Sequence, residues 1–226
     1  MRAFLCFQYS SDDWKKLAPR LDHDEAAWTE GIGVFERRMK ERFFTSIDAL
    51  VTADTKPDPN SSNPQPVVGH CIPGFSIMAL CCLLVETLQG FRENPTTATD
   101  APPQPCTYPA GICIKRGPDT TGQFIRFLRR PAFGTAFAED KVAKTFVRGI
   151  RNGILHDAET RGWLIWREEP SAMVQPWENG YVLNRTLFYD AVKQEFESYL
   201  SDLRDPKKTD LRETFKRKMM NICKRS

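Results

Sequence analysis

Proline sets the first constraint on this chain. Eleven of its sixteen prolines fall in two stretches, five within Pro57–Pro73 and six within Pro95–Pro118. Proline fixes φ and lacks a backbone N–H, so neither stretch suits a helix interior or a central strand. Both stretches also carry Ser, Thr, Asn and Asp, and are expected to form long loops. They separate three segments that can build regular structure, and no internal repeat links those segments.

In the first segment, Asp12–Val51, apolar residues Trp28, Ile32, Phe35, Met39, Phe43 and Ile47 recur at spacings of three and four. That is the stripe of an amphipathic helix. Arg37, Arg38, Lys40, Glu41 and Arg42 supply its polar side. The second segment, Pro73–Glu93, is apolar on nearly all sides from Phe75 to Leu88, as expected of a buried helix. Glu86 interrupts it, and a carboxylate there needs a partner or an open face. The third segment holds a short helix around Phe124, Phe127 and Leu128, ended by Pro131, and a helical pattern within Phe133–Thr160. Gly162–Glu168 and Gly180–Leu183 read as two short strands joined through Pro170–Gly180. A last long helix is expected over Arg185–Leu203, stopped by Asp205-Pro206. The fold class is therefore mainly α: a helical bundle with a small β-hairpin between its last long helices. Three parts are expected: residues 1–73 as a helical extension and Pro-rich loop, 74–205 as the bundle, and 206–226 as a basic tail.

Composition narrows the function classes. With 41% hydrophobic and 27% charged residues the chain can bury a core, which excludes wholesale disorder. The longest apolar run, Ile77–Val85, is nine residues. That is about half of the ~20 a membrane-spanning helix needs, so no membrane association is expected. The first residues turn polar by Ser10, leaving no signal-peptide core, and a cytoplasmic location is expected. Seven cysteines without a C-x-x-C pair, and only three histidines, give a metal site little support. No cofactor is implied. The net charge of +3 is uneven: Arg204–Ser226 carries nine basic and three acidic residues, hence +6, and the rest of the chain −3. A basic tail on a slightly acidic body suits a polyanion such as RNA, or is a solvated helix end.

The chemistry concentrates in Phe146–Thr160, FVRGIRNGILHDAET. At about 100° per residue, Asn152 and His156 share one helix face, and Arg151 flanks it. Gly149 and Gly153 also share a face. Each glycine costs a helix about 1 kcal/mol relative to alanine, so two in one turn imply a close backbone neighbour, either a helix or a second subunit. A histidine can exchange a proton near neutral pH. An arginine keeps its charge and its fork matches phosphate oxygens. Together they suit RNA cleavage without metal: a base takes the 2′-hydroxyl proton, and the guanidinium stabilises charge on the attacked phosphate. Asn152 could position the ribose or the imidazole.

Arg151-Asn152-x-x-x-His156 resembles the R-x4–6-H signature of HEPN domains, including the polar residue directly after the arginine. The resemblance spans Gly74–Leu203. It implies a bundle of four or five helices and a metal-independent endoribonuclease producing a 2′,3′-cyclic phosphate. It also implies homodimerisation, with the two motifs facing each other, and a toxin or phage-defence role under an inhibitor or activator protein. Arg151, Asn152 and His156 would then be the catalytic residues. Glu86 resembles the acidic residue that some members carry on the first core helix. Met1–Val51 and the Gly162–Leu183 hairpin lie outside the minimal family bundle.

Other readings stand beside this one. HEPN-like bundles also serve as non-catalytic RNA- or nucleotide-binding modules, in which Arg151 would bind phosphate and His156 only pack. In a purely structural protein, His156 would cap a helix end and Arg151 would pair with Asp157 or Glu159. Lys115, Arg116, Arg129 and Arg130 are candidate RNA contacts, or solvated loop charges. His23 among acids reads as a solvated loop residue, and His70 lies in the first Pro-rich loop. The aromatic pairs Phe43-Phe44 and Trp163…Trp166 read as core.

Overall fold

A computed structural model of the chain describes residues 4–55, 73–93, 119–168 and 170–224. The expected Pro-rich loops, with Lys115, Arg116, His70 and Cys71, lie outside the described residues. Helix dominates what is described, in agreement with a mainly helical bundle.

The chain opens with two short antiparallel strands, β1 (Phe4–Cys6) and β2 (Tyr9–Ser10). Ser10 then starts α1 (Ser11–Leu17) with a reciprocal cap: its hydroxyl accepts from the Asp13 N–H, and the Asp13 carboxylate accepts from the Ser10 N–H at 2.9 Å. Asp24 caps α2 (Glu25–Met39), accepting from the Ala26 N–H at 2.8 Å. Such caps satisfy donors that a helix start leaves unpaired. The expected stripe is present, with Trp28, Ile32, Phe35, Met39 and Ile47 all buried. One position departs from it. Between α2 and α3 (Thr45–Thr55) the helix widens over Lys40–Phe44, where the Thr45 N–H bonds the Lys40 carbonyl five residues back. The wide turn carries Phe44 into the core in place of Phe43, which is half-buried.

Helix α4 (Gly74–Glu93) is buried along most of its length. It is long and apolar enough to cross a membrane by length and composition, and here it packs inside the protein. Helices α5 (Thr120–Leu128) and α6 (Asp140–Phe146) follow, with a short turn over Pro131–Phe133 between them. A second widened helix, Val147–Asp157, continues α6. Three strands come next: β3 (Trp163–Trp166), β4 (Val174–Trp177) and β5 (Gly180–Asn184). The chain ends its described part with α7 (Arg185–Arg204) and α8 (Thr209–Lys224).

The β element differs from the expected hairpin. β3 and β5, the two predicted strands, run parallel, pairing Trp163 with Tyr181 through Trp166 with Asn184. The connection between them contributes β4, which is antiparallel to β5 and gives the order β3-β5-β4. The true hairpin is β4–β5, with Trp177 paired to Gly180 across Glu178-Asn179. Asn184 closes the unit. Its amide donates to the Glu168 and Pro170 carbonyls at 2.9 and 2.8 Å, and its oxygen caps α7 through the Leu187 N–H.

One core runs across the expected boundaries at 73 and 206. The Phe35 ring of α2 lies 4.5 Å from Phe91 of α4, 5.8 Å from Tyr199 of α7 and 5.4 Å from Phe215 of α8, between ring centroids. Each such pair adds about 0.5–1.5 kcal/mol beyond the area it buries. The amino-terminal segment is therefore a wall of the core. The basic tail is likewise an amphipathic helix with Phe215, Met219 and Cys223 buried. Its Arg212 is buried, forks onto both oxygens of Glu25 at 2.7 and 2.9 Å, and stacks on Trp28. Lys216 pairs with Asp22 at 2.5 Å. Part of the tail's charge thus holds α8 to the start of α2.

A second aromatic cluster supports the other end. Phe146 stacks on Phe188 at 5.3 Å and meets Trp163 edge-on at 5.3 Å, and Trp163 stacks on Tyr181 at 4.9 Å. This cluster fixes the sheet to the widened helix that carries Arg151.

Candidate functional site

The widened helix changes which side chains share a face. Its bonds run from residue i to i+5, and the Ala158 N–H closes the last turn onto the Gly153 carbonyl. In a regular helix Arg151 and His156 would be about 140° apart. With i→i+5 bonding each residue advances less than the 100° of a regular helix, so Arg151 comes nearer to the His156 face than regular geometry allows, and Asn152 stays on that face.

Gly149 and Gly153 have the close backbone neighbour that their pairing implied, and it is neither another helix nor a subunit. The chain itself doubles back. The Arg161 N–H bonds the Gly149 carbonyl at 3.2 Å, and the Glu159 N–H bonds the Gly153 carbonyl at 3.2 Å. A Cβ on Gly149 would stand 2.4 Å from the Arg161 carbonyl oxygen, and one on Gly153 2.4 Å from that of Glu159. The reversal turns on Ala158, which sits in the left-handed region at φ 55°. A non-glycine residue there costs about 1–2 kcal/mol. Strain of this kind persists where the surroundings over-determine the backbone.

Arg151 is held from two sides. Its Nε donates to Glu86 Oε1 at 2.5 Å, and its Nη1 donates to Asn152 Oδ1 at 2.7 Å. Glu86, one of the few polar residues of α4, thus finds its partner in Arg151. Asp157 pairs instead with Arg161 at 2.7 Å, and Glu159 is exposed. The Glu86 and Arg151 side chains retain 28% and 20% exposure, so the pair sits at the surface with one side covered. Among the described residues two of the five guanidinium N–H groups are used, which leaves three for a ligand. Beneath the pair, Cys82 is fully buried. Burial first, and then the Glu86 charge, push its thiol well above its ordinary range, so it stays protonated.

His156 is exposed and makes no hydrogen bond among the described residues. It does not cap the helix, since the Ala158 N–H serves that end. Its ring is available to a ligand or to a second molecule. Two cavities of the chain, beside Arg38 and beside Tyr181, are lined by neither Arg151, Asn152 nor His156. The motif reaches the surface, with His156 exposed and Arg151 and Asn152 half-buried.

The remaining candidates fall elsewhere. Arg129 is ion-paired with Asp140. Arg130 donates from Nε to Glu195 Oε2 at 2.6 Å. Glu195 is buried and also takes the Ala132 N–H at 3.1 Å and the charge of Arg92 at 3.5 Å. Arg130 is therefore one of two cations that neutralise a buried carboxylate. His23 is exposed in a loop, as read from its acidic neighbours. Trp163 is core, whereas Trp166 and Trp177 meet at 5.9 Å, and Trp177 is exposed. Among the described residues no cluster of three or more His, Cys, Asp or Glu could hold a metal ion. What the sequence did not reveal is the i→i+5 register and the strained Ala158. The paired glycines were the only signal of either. Comparison with known proteins finds no family model that matches the chain, and no curated protein or solved structure with significant similarity to it.

Proposed function

We propose that this chain is a metal-independent endoribonuclease of HEPN type. The observation that supports the reading best is Arg151, oriented by Glu86 at 2.5 Å and by Asn152 at 2.7 Å, on the same widened helix as the exposed His156. In the proposed reaction His156 takes the 2′-hydroxyl proton, and O2′ attacks the adjacent phosphorus. The P–O5′ bond breaks, leaving a 2′,3′-cyclic phosphate, and the departing 5′-oxygen takes a proton from an acid or water. Arg151 stabilises the charge that gathers on the phosphoryl oxygens. Glu86 and Asn152 are positioning residues that hold the guanidinium.

The exposure of His156 at the surface suits a homodimer in which two copies form one cleft. A toxin or defence role, with an inhibitor or activator protein, follows from the HEPN resemblance alone. A second reading, RNA or nucleotide binding without turnover, is favoured by one observation. The Glu86–Arg151 pair neutralises part of the charge that a transition state would need.

The test is RNA cleavage in EDTA by wild type and His156→Ala, with total tRNA and rRNA as substrates. Cleavage by wild type with a cyclic phosphate end, lost in the variant, is the expected result. Equal cleavage by both proteins would overturn the site assignment. RNA binding without cleavage by either would favour the second reading.

A further inference from the structure

The helix that carries the motif also carries a line of cations. Lys141, Lys144 and Arg148 follow one another at spacings of three and four along α6 and the start of its widened continuation, so they share one face. Arg151 and Asn152 come three and four residues after Arg148 and flank the continuation of that face. At 1.5 Å per residue the line from Lys141 to Asn152 is at most about 16 Å long. Lys141, Lys144 and Arg148 are exposed, and the line ends at half-buried Arg151 and exposed His156.

The charge along this face is unbalanced. Among the described residues, the side chains of Lys141 and Arg148 have no acidic partner. Lys144 reaches Asp140 at 3.0 Å, but Asp140 is shared with Arg129, so one carboxylate meets two cations. These are exposed pairs, which a polyanion displaces at little cost. The other acid at the start of α6, Glu139, lies with Val142 on a different side of the helix, where both line the cavity beside Tyr181. Past His156 the sign changes. Asp157 already holds Arg161 at 2.7 Å, and exposed Glu159 has no cationic partner among the described residues. Along this helix the surplus of cations therefore lies on one side of the motif only. A small anion needs donors that converge on it. Cations spread along a line suit an extended polyanion instead, in which each phosphate takes one positive neighbour without fixed base geometry.

We propose that the α6 face bearing Lys141, Lys144 and Arg148 is the track along which the phosphates of a single RNA strand lie as the strand leads to Arg151 and His156. The proposal rests on the reading of Arg151 and His156 as the site that meets RNA. It adds the direction in which the strand leaves that site, along α6 and away from Asp157 and Glu159.

The test is fluorescence anisotropy of a short labelled single-stranded RNA with the full chain carrying His156→Ala, so that the RNA is not consumed. Lys141→Gln and Arg148→Gln, added singly, are each expected to weaken binding about threefold or more at about 0.1 M salt. Each should also lower the slope of log affinity against log salt by about 0.7, the share of one phosphate contact on a single strand. Both positions are exposed, so the variants keep the fold. Lys193→Gln removes the same charge from an exposed position on α7 and should change neither quantity. Unchanged affinity and slope when Lys141→Gln and Arg148→Gln are combined would overturn the proposal. An equal loss in Lys193→Gln would also overturn it, because net charge and not a track would then attract the RNA. If Arg151→Ala weakens binding and the α6 variants do not, the track is overturned while the motif keeps its ligand. If the chain with His156 intact cleaves no RNA in EDTA, yet binding still depends on Lys141 and Arg148, the nuclease reading fails and the track stands as the surface of an RNA-binding module.

Discussion

Two glycine-to-alanine substitutions should have opposite signs. Helix propensity alone favours alanine over glycine by about 1 kcal/mol. Gly33 of α2 has open space around it, with nothing within 4 Å of a built Cβ. Gly33→Ala should therefore stabilise the protein by about that amount. Gly149 also lies in a helix, but its Cβ would meet the Arg161 carbonyl oxygen at 2.4 Å and Trp163 Cδ1 at 2.7 Å. The returning strand would have to move outward by several tenths of an ångström at least. Overpacking of this kind costs about 1–3 kcal/mol. Losing the Arg161 N–H bond to Gly149 costs about 0.5–1.5 kcal/mol more. Less the propensity gain, Gly149→Ala should destabilise by about 0.5–3.5 kcal/mol. Urea titrations followed by far-ultraviolet circular dichroism and by tryptophan fluorescence measure both variants. The fluorescence sums five tryptophans, among them Trp163, whose ring lies on the clash. The reasoning fails if Gly149→Ala raises the urea midpoint as Gly33→Ala does, for then the chain does not return along this helix.

Further outcomes follow from the same geometry. Ala158→Gly should stabilise by about 0.5–1 kcal/mol, because relief of the left-handed backbone outweighs the entropy glycine loses on folding. Its thermal midpoint should rise by about 1–4 °C, and a fall would mean that the φ of 55° is not strained. Glu195→Gln should cost up to about 3–5 kcal/mol, since it removes the carboxylate buried between Arg92 and Arg130 and leaves Asp202, 3.5 Å from Arg92, as the remaining acidic partner; a urea midpoint within error of wild type would refute that. Acid should weaken the fold. Arg212 lowers the Glu25 carboxyl, Arg126 that of Glu93, Arg20 that of Asp24, and Lys144 and Arg129 that of Asp140. Each is depressed in the folded state, so the unfolded chain binds more protons near pH 4, and stability is lost as pH falls through the folded values. The urea midpoint should decline from pH 5 to pH 3 and stay flat or rise if these pairs are absent.

The parts of this fold that local pattern governs were legible in the sequence. Trp28, Ile32, Phe35 and Met39 mark α2 because regular helix geometry repeats every 3.6 residues. Phe43 and Phe44 show where that logic stops: only the widened turn decides which ring enters the core, and nothing in KERFF announces it. The strand pairing failed for another reason. Gly162–Glu168 and Gly180–Leu183 look like strands by composition, but direction depends on where the connection runs, and β4 occupies it. Part of the basic tail's charge is taken up inside the chain, where Arg212 and Lys216 find partners in Glu25 and Asp22, nearly two hundred residues away. At the site, Arg151, Asn152 and His156 stood out by type and spacing. Glu86 was marked by its place in an apolar run and by its match to an acidic residue of the HEPN pattern, but its pairing with Arg151 depends on how α4 and the widened helix pack, which no local pattern encodes.

The packing of Phe35 also bears on how the protein is made. Its ring needs Phe91, Tyr199 and Phe215 around it, and those residues are added to the growing chain long after it. A polypeptide emerging from the ribosome can form α2 early, yet that helix must keep an aromatic face exposed until α8 arrives to cover it. Folding therefore cannot proceed piecewise from the amino terminus, as it does in chains of independent units.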